Sequence, residues 1–337
     1  MKAFNLLLGT LSLLCMALWG SLALFIDGPG SEDVRLSLAI AYAVIGLILV
    51  GAFAFSKRRW IAAFTFIGLF GILLGWWGSL SPSNDREWQP EVAVLPYATF
   101  EKDQVTIHNV RNFDYRSETD FTVQYDDRTF DLRTLNAVDL IAVYWMGPMI
   151  AHVFLSFSFD EEHLAISIEA RKERTEGYST LKGFFKQFEL YYVVADERDV
   201  IRVRTNFRKD PPEDVYLFRV NVPQENMKRL FLEYVRKMNQ LREQPEFYNT
   251  LTTNCTTTIL MHTHVNPDHL PFSWKVLLSG YVPEYVYDAG RLNSSLSFSN
   301  LFLQSHINAR AQAADQAQDF SRFIRDGLPM TFSVGYE

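Results

Sequence analysis

Three apolar runs near the start of the chain constrain its architecture more than any other feature. They cover residues 4–26, 36–55 and 60–80. Each has roughly the twenty residues that a helix needs to cross a hydrocarbon core. With no water there, a backbone satisfies its own polar groups only as a helix or in a closed barrel. The first run is too long for the apolar segment of a signal peptide, and no small-x-small cleavage site follows it. Cys15 does not make a lipobox, because Leu14 stands where a small residue is needed. The sequence therefore predicts a three-helix transmembrane anchor over residues 1–80.

Basic residues set the orientation. Lys2 precedes the first run, and Lys57, Arg58 and Arg59 separate the second from the third. The loop at 27–33 carries Asp27, Glu32 and Asp33, and Arg35 is the only base near it. The positive-inside rule puts the N-terminus and the 57–59 loop in the cytoplasm and everything after residue 80 outside. The expectation is a multi-pass protein of a bacterial inner membrane with its C-terminal domain in the periplasm. Trp76 and Trp77 would close the third helix as an interfacial aromatic belt. Gly68, Gly71, Gly75 and Gly78 suggest close packing of that helix on its neighbours.

The rest of the chain reads as a linker at 81–100, a domain at 101–290 and a C-terminal helical extension at 291–337. Pro82, Pro90 and Pro96 mark the linker. Short strands are expected at 105–110, 113–115 and 121–125, and 135–145 fits a strand or a helix. A hairpin follows: 151–159 alternates, 160–163 turns and 164–171 returns. Strands are expected at 187–194, at 200–207 after a turn at 196–199, and at 215–220. Residues 224–241 form an amphipathic helix whose apolar face carries Leu230, Phe231, Tyr234, Val235, Met238 and Leu241. A further helix is expected at 255–262, short ones near 273–279 and 300–311, and a polar tail at 311–323. Strands first and helices later give an α+β class. The net charge of −7 argues against a nucleic-acid partner.

Chemistry concentrates around Cys255. Cys15 lies within the first apolar run, so Cys255 has no disulfide partner in the outer domain. A lone thiol in an oxidising compartment is a liability unless it has a use. Asn254 or Thr253 can cap a helix beginning at Cys255. The first-turn N–H groups and the helix dipole then favour a thiolate. Cys255 is read as a nucleophile against the alternative of a buried structural cysteine. A nucleophilic thiol needs a base, and the base needs an orienting group. His152 lies on the first strand of the hairpin, where a histidine is unexpected unless it is used; the alternative is a satisfied core histidine. A two- or four-residue turn places His152 opposite Glu169 or Arg171, and in both registers Glu169 shares its face and is within cross-strand reach. Glu169 would hold the imidazole tautomer, or else face solvent. Asn254 and Thr256 are expected to position the helix or contribute to an oxyanion site with the backbone N–H groups.

Two other clusters carry weaker readings. His262, His264 and His269 form H-x-H-x4-H next to Asp268, but Pro267 and Pro271 place it in a loop and no second cluster completes it, so no metal or other cofactor is expected. Arg198, Arg202 and Arg204 surround the strand expected at 200–207. They would meet phosphate headgroups, or form a solvated face paired with Asp196, Glu197 and Asp199.

Four stretches carry a family resemblance: AHVFLSF at 151–157, SIEARKE at 167–173, ELYYVVADERD at 189–199 and YNTLTTNCTT at 248–257. In this order they resemble the Lnb N-terminal periplasmic domain family, whose namesake is a bacterial lipoprotein N-acyltransferase. The resemblance runs from about 109 to 288. It implies a permuted papain-like fold related to NlpC-like enzymes, in which the histidine strand precedes the cysteine helix. It also implies a thiol acyl-transfer site made of Cys255, His152 and Glu169, acting on membrane phospholipid acyl chains or on lipoproteins. Three membrane helices precede the domain here, so the namesake's reaction does not carry over as it stands. A cysteine amidase or peptidase acting on cell-wall peptides, and a non-catalytic membrane-tethered binding module, are the alternatives.

Overall fold

The computed structural model describes residues 2–330. It contains two compact units, one made of residues up to 83 with 178–189, the other of 84–177 with the rest of the chain.

The first unit holds α1 (Lys2–Asp27), α2 (Glu32–Phe55) and α3 (Arg59–Ser79), all long and apolar enough to cross a membrane. Leu13, Ala17, Val50, Phe53, Ala62, Ala63 and Phe66 form their shared core. The glycines that permit close approach are not those expected. A Cβ on Gly20 would come within 2.5 Å of Tyr42, and one on Gly46 within 3.0 Å of Ala17. Gly68, Gly71, Gly75 and Gly78 have nothing within 4 Å of that position. Three- and four-residue spacing defines a helix face, but only tertiary packing decides which face meets a neighbour. Residues 178–189 fold onto the ends of α1 and α3. Trp77 Nε1 donates to Asp27 Oδ2 at 2.6 Å, and Lys186 Nζ donates to the carbonyls of Trp77 and Leu80, each at 2.9 Å.

The second unit is α+β, as expected. Its strands are β1 (Tyr97–Glu101), β2 (Gln104–Arg111), β3 (Asp114–Tyr115), β4 (Phe121–Thr122), β5 (Tyr125–Asp131), β6 (Leu135–Tyr144), β7 (Ala151–Phe159), β8 (Glu162–Arg171), β9 (Glu189–Ala195) and β10 (Asp214–Arg219). One sheet runs β1-β2-β9-β8-β7-β6-β10, with β5 on β2. Its helices are α4 (Glu197–Val200), α5 (Gln224–Glu243), α6 (Cys255–Thr263), α7 (Trp274–Leu277), α8 (Val282–Asp288), α9 (Phe298–Gln304), α10 (Asn308–Ala313) and α11 (Phe320–Arg325).

The sheet is covered on both faces, which is why β6 to β9 read as nearly unbroken apolar runs. On one side Ile141, Val143, Phe154, Ala165, Tyr191 and Val193 pack with Ile307, Phe320 and Ile324. On the other, Phe157 and Phe159 meet Phe231 and Tyr234 of α5 edge to face. The polar-looking tail therefore belongs to the core through Ala311, Ala314, Phe320 and Ile324. Residues read as linker also pack: Val92 is buried, and the Arg171 guanidinium lies 4.1 Å over the Trp88 ring.

One element differs outright. The strand expected at 200–207 is helical, with α4 followed by a π-helical turn Val203–Phe207. Asp196 caps α4 by accepting from Arg198 N–H at 2.8 Å. Val200 and Ile201 are buried in the core under the sheet, and Val203 in a separate cluster with Phe113 and Tyr115. In so short a stretch the apolar residues fit either period, and the cap decides.

Candidate active site

The β7–β8 hairpin closes with the two-residue turn Asp160-Glu161, Asp160 taking φ 52°. Phe159 pairs with Glu162 and Leu155 with Ile166. Continuing that register brings Glu169 opposite His152. Short polar side chains tolerate the left-handed conformation that Asp160 needs.

At the other side of the site, α6 starts where its cap dictates. Asn254 Oδ1 accepts from Thr257 N–H at 2.8 Å, and Thr257 Oγ1 accepts from Asn254 N–H at 3.1 Å, a reciprocal capping box. Asn254 Nδ2 turns back to the Thr250 carbonyl at 2.6 Å. Thr256 Oγ1 donates to the Val276 carbonyl at 2.6 Å and ties α6 to α7. These side chains position the helix. Each directs a side-chain donor to a backbone carbonyl. Removing the cap in Asn254→Ala should cost about 1 kcal/mol, read as a lower melting temperature of the full chain in detergent.

Cys255 and His152, about a hundred residues apart, meet in space. The His152 ring and the N–H groups of Val153 and Thr256 are the neighbours that act on the Cys255 sulfur. Burial would push the thiol pKa up, but His152 and these N–H groups outweigh it and hold it below the ordinary value. Burial would likewise push His152 down, and the neighbouring Cys255 and Glu169 hold it above the ordinary value. Both shifts favour a thiolate–imidazolium pair. Cys255 as a residue is partly exposed.

His152 Nε2 lies 2.6 Å from Ser167 Oγ and 3.5 Å from Glu169 Oε1. That leaves Nδ1 for the sulfur. Ser167 Oγ donates to Glu169 Oε1 at 2.8 Å. Arg204 Nη2 donates to the same oxygen at 3.1 Å, and Arg204 Nη1 lies 3.4 Å from Glu213 Oε2. Burial would raise the Glu169 pKa, but His152 and Arg204 hold it well below the usual carboxylate range. Ser167 was not singled out from sequence, and Arg204 was expected at a headgroup or on a solvated face rather than beside Glu169. The available signal was Ser-x-Glu on β8, which puts Ser167 and Glu169 on one strand face.

Of the other candidate residues, only Arg204 reaches the Cys255–His152–Glu169 group. Arg202 and Arg204 are buried, and with Arg198 they sit on α4 and the turns after it rather than on a strand face. Arg202 pairs with Asp315 at 2.8 Å and Asp114 at 3.2 Å, and Arg204 with Glu169. Both guanidinium groups are themselves buried and already paired, Arg202 with two partly exposed carboxylates and Arg204 with Glu169 and Glu213. His262 is a core residue bonded to Tyr192 Oη at 2.5 Å, and burial pushes its pKa down to about 4. His264 and His269 lie against each other with centroids 4.3 Å apart and planes tilted by 48°. Among the described residues no group of three or more metal-ligating side chains gathers.

A cleft of about 610 Å³, lined by Tyr144, Trp145, Pro148, Tyr216, Gly280 and Tyr281 among others, opens beside the β6–β7 loop. Cys255 and His152 do not line it. The segments around Cys255 carry exposed Met146, Met149, Leu251, Trp274 and Leu278. Gly280 N–H donates to the Met149 carbonyl, and Asn254 Nδ2 to that of Thr250.

No curated protein and no solved structure matches the chain. A family model described as Lnb N-terminal periplasmic domain matches residues 121–280, a span that contains Cys255, His152, Ser167, Glu169 and Arg204. With three helices fit to cross a membrane and a periplasmic domain after them, this is a membrane protein. Residues 121–280, which carry both Cys255 and His152, are thus similar to the Lnb N-terminal periplasmic domain family.

Proposed function

We propose that the chain is a thiol acyltransferase of the bacterial inner membrane, crossing it three times and presenting its catalytic domain to the periplasm. The contact between Cys255 and His152 carries this reading. The Cys255 thiolate attacks an ester carbonyl of a phospholipid. The C–O bond breaks, the imidazolium of His152 gives its proton to the departing alkoxide, and a thioester remains on the sulfur. An acceptor amine, such as a lipoprotein N-terminus, then attacks the thioester. His152 takes a proton from that amine, the C–S bond breaks and an amide forms. Glu169 stabilises the imidazolium, and the Cys255 N–H at the helix start faces the developing oxyanion.

The choice of a lipid acyl chain rests on the surroundings. Trp145 to Ile150 and Tyr248 to Ile259 contain no charged residue, and large apolar side chains are exposed along them. Peptidoglycan stems, which carry carboxylates and amines, would find no charged partner on those two segments.

Incubating the purified full chain with phospholipid vesicles should add one acyl mass to the peptide containing Cys255. Cys255→Ala should show none. Absence of the adduct in the native chain, with cleaved cell-wall peptides appearing instead, would replace this reading by an amidase.

A further inference from the structure

We propose that Ser167 is a positioning residue that sets the tautomer of His152, on the reading that Cys255 and His152 act as nucleophile and base. The three groups form a directed chain. Ser167 Oγ stands between His152 Nε2, at 2.6 Å, and Glu169 Oε1, at 2.8 Å. A hydroxyl has one proton to donate. Glu169 is an ionised acceptor with Arg204 Nη2 3.1 Å from the same oxygen. If the Ser167 proton pointed at the ring, a hydroxyl lone pair would face the carboxylate at 2.8 Å. The proton therefore goes to Glu169.

The consequence falls on the imidazole. Ser167 now offers only a lone pair to Nε2, which must carry a proton. In the neutral ring Nδ1 is then the bare nitrogen, and it is the one left for the thiol. Arg204 fixes the charge of Glu169, that charge fixes the direction of the Ser167 hydroxyl, and the hydroxyl fixes the tautomer. Direct contact does not do the same work, because Glu169 Oε1 is 3.5 Å from Nε2. Ser167 is fully buried, so water does not compete for its proton. A serine kept only for packing on a strand face would not need its hydroxyl aligned with two partners.

The test is the pH dependence of Cys255 alkylation by iodoacetamide, in the full chain in detergent with Cys15→Ser as background, read by mass spectrometry. Ser167→Ala should slow alkylation at neutral pH by about ten-fold, the change in thiolate fraction that one pH unit represents, and move the inflection upward. Ser167→Thr, which keeps the hydroxyl, should restore the native profile. If threonine prevents folding, the Glu169→Gln variant and the double variant replace it. Both should shift the profile as Ser167→Ala does, with no further loss in the double. An unchanged profile for Ser167→Ala, or additive losses in the double variant, overturns the role of Ser167 alone. A native Cys255 that titrates as an ordinary thiol overturns the acyl-transfer reading as well.

Discussion

Replacing His152 by alanine is expected to lower acyl transfer by roughly 10²–10⁴-fold, the contribution of a positioned base, and to slow alkylation of Cys255 at neutral pH. The sign follows from the balance at the sulfur. Burial disfavours the thiolate, and His152 is the first of the groups that overcome it. Without the imidazole the thiol titrates higher, and the N–H groups of Val153 and Thr256 only partly offset this. The native chain should alkylate with an inflection below that of an ordinary thiol, and His152→Ala with one clearly above the native value. Reactivity of the native pair also has an acid limit. Below the depressed thiol pKa the sulfur is protonated, and above the raised imidazole pKa the pair has lost its proton donor. Acyl transfer is therefore expected to follow a bell between these limits, measured as acylation rate against pH. A His152→Ala variant with native alkylation kinetics would remove the base from the mechanism.

The largest effect on stability is expected from Arg325→Met. Arg325 Nη2 lies 2.6 Å from Glu197 Oε1 and 2.8 Å from Asp139 Oδ2, and both carboxylates are fully buried. Asp139 keeps Arg219 at 2.5 Å, whereas Glu197 keeps only the Ser156 hydroxyl, also at 2.5 Å, among its close partners. Leaving a buried charge uncompensated costs about 3–5 kcal/mol, a large part of a domain's net stability. At about 2–4 °C per kcal/mol for a unit of this size, the melting temperature should fall by roughly 10 °C. A drop of only a degree or two would mean that the network relaxes around the loss.

The same network makes the fold sensitive to acid. Burial would raise the Glu197 pKa, but the charge and hydrogen bond of Arg325, with smaller help from His163 and Ser156, bring it down to about 2. A carboxylate depressed on folding contributes its stability above its unfolded pKa and loses it as pH falls toward the folded one. For Glu197 that window runs from the ordinary glutamate range down to about 2. Without Arg325, Glu197 protonates at higher pH. The gap in melting temperature between native and Arg325→Met chains should therefore narrow from pH 7 to pH 4.

How the parts were legible follows from the range of the forces that set them. The membrane helices depend on length and hydropathy alone, so residues 4–80 declared them. The β7–β8 hairpin depends on alternation and a tight turn, and α6 on a cap and its capping box. These are interactions between near neighbours, and each was readable with its boundaries nearly right. The candidate site was legible in part, because Cys255 marked itself by lacking a partner, and His152 and Glu169 by standing on a strand.

Other features depended on groups far apart in the chain. Nothing local says that Ser167 would stand between His152 and Glu169, or that Arg204 would be committed to Glu169 rather than to a headgroup. Arg202 and Arg204 look like surface charges until Asp315, Asp114 and Glu213 are brought beside them. Gly20 and Gly46, not the more regular glycines of α3, became the close contacts for the same reason. By itself the sequence determined the anchor, the class, the hairpin and the helix start, since each is decided within a few turns or residues. Only the tertiary structure decided which buried charges pair and which side chains meet across the sheet. Those outcomes are set by strand register and by the cost of leaving an ion unpaired in a dry interior, and neither is written in any one segment.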